Sequence, residues 1–151
     1  MKAALTWRYN SFDELNLTEL YAILRVRGFV FVVEQNCPYL DPDDKDQKSF
    51  HLCGWDNDKL VAYTRIMPPG LAFEEASIGR VLTSQDIRKQ GAGRELMEIS
   101  IEKTLHQFSV DKIRIGAQIY LQDFYASLGF KKNSDEYMED GIPHIEMLLK
   151  K

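Results

Sequence analysis

The chain predicts an α+β fold: a mixed, mostly antiparallel sheet flanked by helices, rather than a doubly wound parallel sheet. Three observations lead to it. Two pairs of strand-like runs are each separated by a turn signal, Asp56-Asn57-Asp58 and Asp140-Gly141. A strand-like run over 78–83 enters a glycine-bearing turn and leaves it as a helix-like run over 95–99. A second strand and helix, 113–118 and 120–128, come next.

The individual elements have their own signals. Residues 5–9 read as a first strand. Asn16, with Glu19 three residues on, has the pattern of a helix N-cap and its reciprocal acid. Leu17, Leu20, Tyr21, Leu24, Gly28 and Phe31 then recur at helical spacing, whereas Phe29-Val30-Phe31-Val32-Val33 is strand-like, so the helix end stays open. The stretch 37–44 is a loop by composition, its acids solvated or rimming a substrate mouth. Residues 50–55 and 60–66 make a hairpin across the first turn signal, and Met67-Pro68-Pro69-Gly70 breaks the pattern. A strand over 76–83 and a helix over 91–106 follow. Gly129 suits the left-handed position after the short helix, and 137–138 and 145–149 form the closing hairpin.

The length of 151 residues predicts a single domain, 1–151, with 44% hydrophobic residues to build a core. The formal charge of −4, from 19 basic and 23 acidic side chains, argues against nucleic acid or an anionic membrane as partner. No apolar run reaches the ~20 residues of a membrane span, and the first residues lack a signal-peptide core, so the expected location is cytoplasmic. Cys37 and Cys53 read as free buried thiols. The scattered histidines and the acids of 41–46 lack metal-ligand spacing, so no metal is expected.

The richest segment is Arg88-Lys89-Gln90-Gly91-Ala92-Gly93-Arg94. Strand, glycine turn and helix start form an anion cradle, because the first helical N–H groups lack partners and the dipole favours negative charge there. Gly91 and Gly93 allow close approach, and Arg88, Lys89 and Arg94 add positive charge. A diphosphate-bearing ligand is expected at this point.

Downstream, Gln118-Ile119-Tyr120-Leu121-Gln122-Asp123-Phe124-Tyr125-Ala126-Ser127-Leu128-Gly129-Phe130 resembles the second half of the GNAT acetyltransferase signature. Arg88, Gly91 and Gly93 stand where that superfamily has its Arg/Gln-x-x-Gly-x-Gly/Ala diphosphate arm. Arg27-Gly28-Phe29-Val30-Phe31-Val32-Val33-Glu34-Gln35-Asn36-Cys37-Pro38-Tyr39, His51-Leu52-Cys53-Gly54-Trp55, Ile78-Gly79-Arg80-Val81 and Asp140-Gly141-Ile142-Pro143-His144-Ile145 resemble its ElaA-like branch. That branch is itself similar to acyl-homoserine-lactone synthases around Arg27, Val30 and Phe31.

The resemblance implies a GNAT fold: a central twisted sheet of six to seven strands, splayed at a cofactor cleft, with about four helices. It implies acetyl-CoA as donor, CoA as product, and direct transfer to a primary amine of a small molecule or peptide, by a monomer or homodimer. Val81, Leu82 and Thr83 would pair with the pantetheine arm as an added strand does. Gln118 would bond its amide, Phe124 would border the site, and a backbone N–H near Leu82 would hold the developing oxyanion. Arg88, Lys89, Gln90, Gly91, Ala92, Gly93 and Arg94 would grip the diphosphate. Tyr125, a phenol of ordinary pKa near ~10, would protonate the departing sulfur. The base is open among Glu34, His144, His51, Glu75 and water, with a surface or structural role the alternative for each. Two further readings are a non-catalytic acyl-CoA-binding module and an acyltransferase akin to lactone synthases.

Overall fold

Residues 4–151 are described by a computed structural model. Strand β1 (Thr6–Ser11) leads to helix α1 (Leu17–Arg27), which continues as a π-helical segment, Gly28–Glu34. A long loop, pinned by one short turn, reaches β2 (Phe50–Asp56) and β3 (Lys59–Met67). Then come β4 (Ser77–Thr83), α2 (Ala92–Phe108), β5 (Lys112–Gln118), α3 (Gln122–Ser127), β6 (Lys131–Lys132), β7 (Tyr137–Glu139) and β8 (Ile142–Lys150).

Two antiparallel sheets result, ordered β1-β2-β3-β4 and β5-β8-β6, with β7 also on β8. They touch where Ala76 bridges Ile113 in parallel, and the Arg114 N–H donates to the Ala76 carbonyl at 2.9 Å. Among the described residues β4 and β5 pair nowhere beyond that point, so their C-terminal ends, Thr83 and Gln118, part to leave a cleft. The expected splay is therefore present, but it divides the structure into two sheets rather than opening one. Among the described residues eight strands form instead of six or seven, because Lys131–Lys132 pairs with Leu148 and Met147 of β8. Two exposed lysines carry no strand signal and suit a charged edge.

The turn signals hold. Asp56 pairs with Lys59 across Asn57 and Asp58, and Asp140 and Gly141, both at positive φ, turn β7 into β8. The Asn16 cap forms as expected: its Oδ1 accepts from the Glu19 N–H at 2.7 Å, while Glu19 Oε1 accepts from the Asn16 N–H at 3.0 Å. The stripe on α1 does not hold. Glu19, Ile23, Arg27 and Val30 face inward, while Leu17 and Tyr21 are exposed. The strand-like 29–33 run stays helical, because the chain turns through the wider π geometry and only Val30 reaches the core. Hydrophobic periodicity ranked Leu17 above Arg27, and buried carboxylates reverse that order.

The main core lies between the sheets and helices α2 and α3, with Leu96, Met97, Ile113, Ile115, Phe130, Ile145 and Met147 all but fully buried. Each such side chain contributes about 2 kcal/mol by leaving water. A second cluster, Ile23, Val30, Cys53, Leu60, Tyr63 and Leu82, seats α1 and the π segment on the first sheet.

Candidate active site

The turn between β4 and α2 is built from the core outward. A short helical turn, Gln85–Ile87, drops Ile87 into the core and anchors it. The backbone then enters the left-handed region at Lys89 (φ 68°) and Gly91 (φ 80°), and α2 begins at Ala92. A Cβ on Gly91 or Gly93 would meet nothing within 4 Å, so the backbone is open to close approach. The first helical bond runs from the Glu95 N–H to the Gly91 carbonyl at 3.2 Å, and Gly91 at the N-cap has no side chain to cap the N–H groups that follow it. The positive end of a 17-residue helix favours negative charge there.

Strand β4 supplies the adjoining wall. The Ser84 N–H donates to the Val61 carbonyl at 2.8 Å, which turns the Ser84 peptide toward β3. Peptide groups alternate sides along a strand, so Leu82 also faces β3, whereas Val81 and Thr83 face the cleft. The Leu82 side chain is buried under α1. The N–H of Leu82 itself therefore points to β3, and those of Val81 and Thr83 point into the cleft.

Arg88 fits this geometry and adds a contact that the sequence did not show. Its Nε and Nη2 donate to the Thr83 carbonyl at 3.0 and 2.8 Å. Its Nη1 and Nη2 donate to Glu34 Oε1 and Oε2 at 2.8 and 3.3 Å. Glu34, at the end of the π segment, is thus a bidentate partner of Arg88. Arg94 turns away from the glycine turn, donating to Ser127 Oγ at 3.0 Å and pairing with Glu98. Lys89 is exposed, and Gln90 Nε2 donates to the Asp86 carbonyl at 3.2 Å.

Across the cleft, Gln118 Nε2 donates to Gln35 Oε1 at 3.4 Å, tying the end of β5 to the π segment. Tyr125 is 5% exposed and sits edge-on to Phe124 and Phe130, at 5.2 and 6.0 Å between ring centres. Burial pushes its phenol well above the ordinary value, so it stays protonated through neutral and moderately alkaline pH. It is a hydrogen-bond donor rather than a strong acid there. The Cys53 thiol is pushed up to about 12 by burial, and both cysteines are free.

Three base candidates separate by their surroundings. His51 is buried with both ring nitrogens engaged, Nδ1 to Tyr63 Oη at 2.6 Å and Nε2 to the Asp46 carbonyl at 3.0 Å, and burial lowers its pKa. Glu75 is gripped by Arg114 at 2.9 and 3.0 Å, which lowers its pKa. Both thus have their polar atoms engaged within the fold. His144 pairs with Gln118 in register and stacks on Tyr137 at 5.8 Å. Its Nδ1–H donates to the Ile142 carbonyl at 2.7 Å, and its Nε2 lies 3.5 Å from Glu139 Oε2.

Of the acids of 41–46, Asp44 is exposed, whereas Asp41, Asp43 and Asp46 turn inward to arginines. Asp41 and Asp46 are buried, and with Asp43 they bind Arg27, Arg65 and Arg80. No short-range signal marks such a cluster, because its partners lie on α1, β3 and β4.

The comparisons with known proteins agree with this geometry. The family model described as an acetyltransferase (GNAT) domain matches residues 26–151. Protein ElaA of Escherichia coli (strain K12) is 43% identical over 145 residues, 95% of each chain. Its crystal structure superposes with a TM-score of 0.92, covering 97% of this chain and 100% of that one. The crystal structure of an acyl-CoA N-acyltransferase from Pseudomonas aeruginosa is 38% identical, with a TM-score of 0.92, covering 97% of this chain and 99% of that one. A CoA-dependent acyl-homoserine lactone synthase, BjaI, shares the fold alone, at 16% identity and a TM-score of 0.79, covering 97% of this chain and 83% of that one. With a family model spanning most of its length and ElaA as a near relative, this chain belongs to the GNAT acetyltransferase family.

Proposed function

We propose that the protein transfers an acetyl group from acetyl-CoA directly to the primary amine of a small molecule or peptide. The observation that carries this reading is the uncapped start of α2, opening where β4 and β5 part, beside the cleft-facing peptides of Val81 and Thr83. The residues fit the donor. The N–H groups from Gly91 to Arg94 and the Arg88 guanidinium bind a diphosphate, and the β4 edge pairs with the two pantetheine amides. When bound, the thioester supplies an activated acyl carbon and a thiol leaving group.

The protein's own groups do the rest. The Val81 and Thr83 peptides present N–H donors toward the acyl oxygen. Tyr125, kept neutral by burial, donates its O–H toward the sulfur. His144 Nε2, with its proton fixed on Nδ1, accepts a proton from the amine directly or through water. Gln35, Gln118 and Tyr137 surround the acceptor side. Glu34 orients Arg88.

The test combines binding and turnover. Acetyl-CoA at about 100 times its Kd raises stability by roughly 2.7 kcal/mol, seen as an increased Tm. A panel of amines, polyamines and lysine peptides is then assayed for thiol release. Release that requires a particular amine supports the reading. A Tm shift without release from any acceptor leaves a CoA-binding module, and no shift at all removes the acyl-CoA reading.

A further inference from the structure

Arg80 breaks the rule of the strand that contains it. It lies inside β4 yet has φ 50°, in the left-handed region that a non-glycine residue rarely occupies. The register shows why. Tyr63 pairs with Leu82 and Arg65 with Gly79, so two steps along β3 answer three along β4. Arg80 falls within this bulge, which re-aims every peptide group after it. Val81 and Thr83, the cleft-facing pair, follow immediately.

A left-handed residue without glycine persists only where its surroundings over-determine it. Arg80 is held on several sides. Its Nε donates to Asp41 Oδ1 at 2.8 Å, and its Nη2 donates to the Asp41 carbonyl at 2.9 Å and to Asp43 Oδ2 at 3.4 Å. Its guanidinium lies 5.6 Å from the centre of the Tyr39 ring, and Tyr39 Oη donates to Asp41 Oδ1 at 2.8 Å. Asp41 is itself fixed by fully buried Arg27, whose Nε donates to Oδ2 at 2.8 Å. The anchor thus comes from the 37–44 loop and α1, outside the cleft.

We propose that Asp41 and Arg80 are positioning residues for the acyl donor: their contact holds the β4 bulge that turns the Val81 and Thr83 peptides into the cleft. Neither side chain needs to touch the donor. The inference rests on the acyl-CoA reading above and assigns a role to a charge cluster that the transfer chemistry leaves unused.

The test uses the full chain with two probes. Acetyl-CoA engages both the diphosphate turn and the β4 edge; 3′-phospho-ADP, which lacks the pantetheine, engages the turn alone. Arg80→Gly tolerates the left-handed backbone while removing the guanidinium, and Asp41→Asn keeps the shape of the partner. Both are expected to weaken acetyl-CoA binding about tenfold while leaving 3′-phospho-ADP within about twofold, and Arg80→Lys is expected to recover part of the loss. Amide hydrogen exchange at residues 82 and 84, whose N–H groups face β3, reads the bulge itself, and is expected to rise in Asp41→Asn with α2 amides unchanged. Equal weakening of both probes, or unchanged acetyl-CoA binding together with unchanged exchange, overturns the proposal. If the wild-type chain binds neither probe, the acyl-CoA reading fails, and the positioning claim falls with it unless exchange at 82 and 84 rises in Asp41→Asn.

Discussion

In the proposed transfer, Tyr125 and Arg88 carry separable tasks, and single substitutions separate them. Tyr125→Phe keeps the edge-on packing with Phe124 and Phe130 but removes the donor. Turnover is expected to fall roughly 100-fold, with acetyl-CoA affinity within about twofold, in steady-state kinetics beside calorimetric binding. Because burial raises the Tyr125 pKa, its ionisation adds no descending limb to the wild-type pH profile below about pH 10. Arg88→Glu is expected to weaken acetyl-CoA binding at least ~30-fold, since it places a carboxylate against the diphosphate and opposite Glu34. Glu34→Gln keeps the reach to Arg88 without the charge, and a milder loss of ~3-fold in affinity with an unaltered pH profile is expected. A pH limb that vanishes in Glu34→Gln would instead make Glu34 the base. At this scale the sequence was informative where chemistry is local. The glycine turn and Tyr125 were legible, whereas the Glu34–Arg88 contact spans 54 positions and leaves no spacing to read.

Elements show the same division. The cap at Asn16, the turn at Asp140-Gly141 and the left-handed Gly129 depend on a few adjacent residues, and all three are where the sequence placed them. Gly129 has φ 103°, and an added Cβ would come within 2.9 Å of Leu149 Cδ1. Gly129→Ala is therefore expected to destabilise by about 1–2 kcal/mol in urea unfolding, with an unchanged m-value. The inward face of α1 was not legible. An apolar stripe predicts burial only if the core below is apolar, and here α1 meets carboxylates through Arg27. The bulge in β4 was hidden for a related reason. Gly79-Arg80-Val81 reads as ordinary strand, and only the mismatch with β3 creates the extra residue.

Across the whole molecule, the arginine–aspartate network joins the long loop to α1, β3 and β4, and it sets the response to acid. Burial alone would raise the Asp43 and Asp46 pKa values; the Arg65 guanidinium beside Asp43, and Arg27 and Arg65 beside Asp46, outweigh it and hold both low. A carboxyl whose folded pKa is depressed stabilises above its unfolded value and loses that contribution as pH falls toward the folded one. Stability is thus expected to decline from about pH 4 downward. His51, lowered by burial and held neutral, adds a gentler decline starting near its unfolded pKa of about 6.5. Urea midpoints from pH 7 to pH 3 check both. Asp46→Asn, which leaves two buried arginines short of a counter-charge, is expected to cost about 3–5 kcal/mol at pH 7 and to flatten the acid limb.

The sequence by itself determined the order of the main strands and helices, the turns, the glycine-bearing start of α2 and the family resemblance, because these rest on residues a few positions apart. Only the tertiary structure decided that Glu34 holds Arg88, that Asp41 and Asp46 are buried, and that β4 carries its bulge at Arg80. Those outcomes depend on which charges meet once the sheets have packed. Removal from water makes such pairing obligatory, but nothing along the chain names the partner.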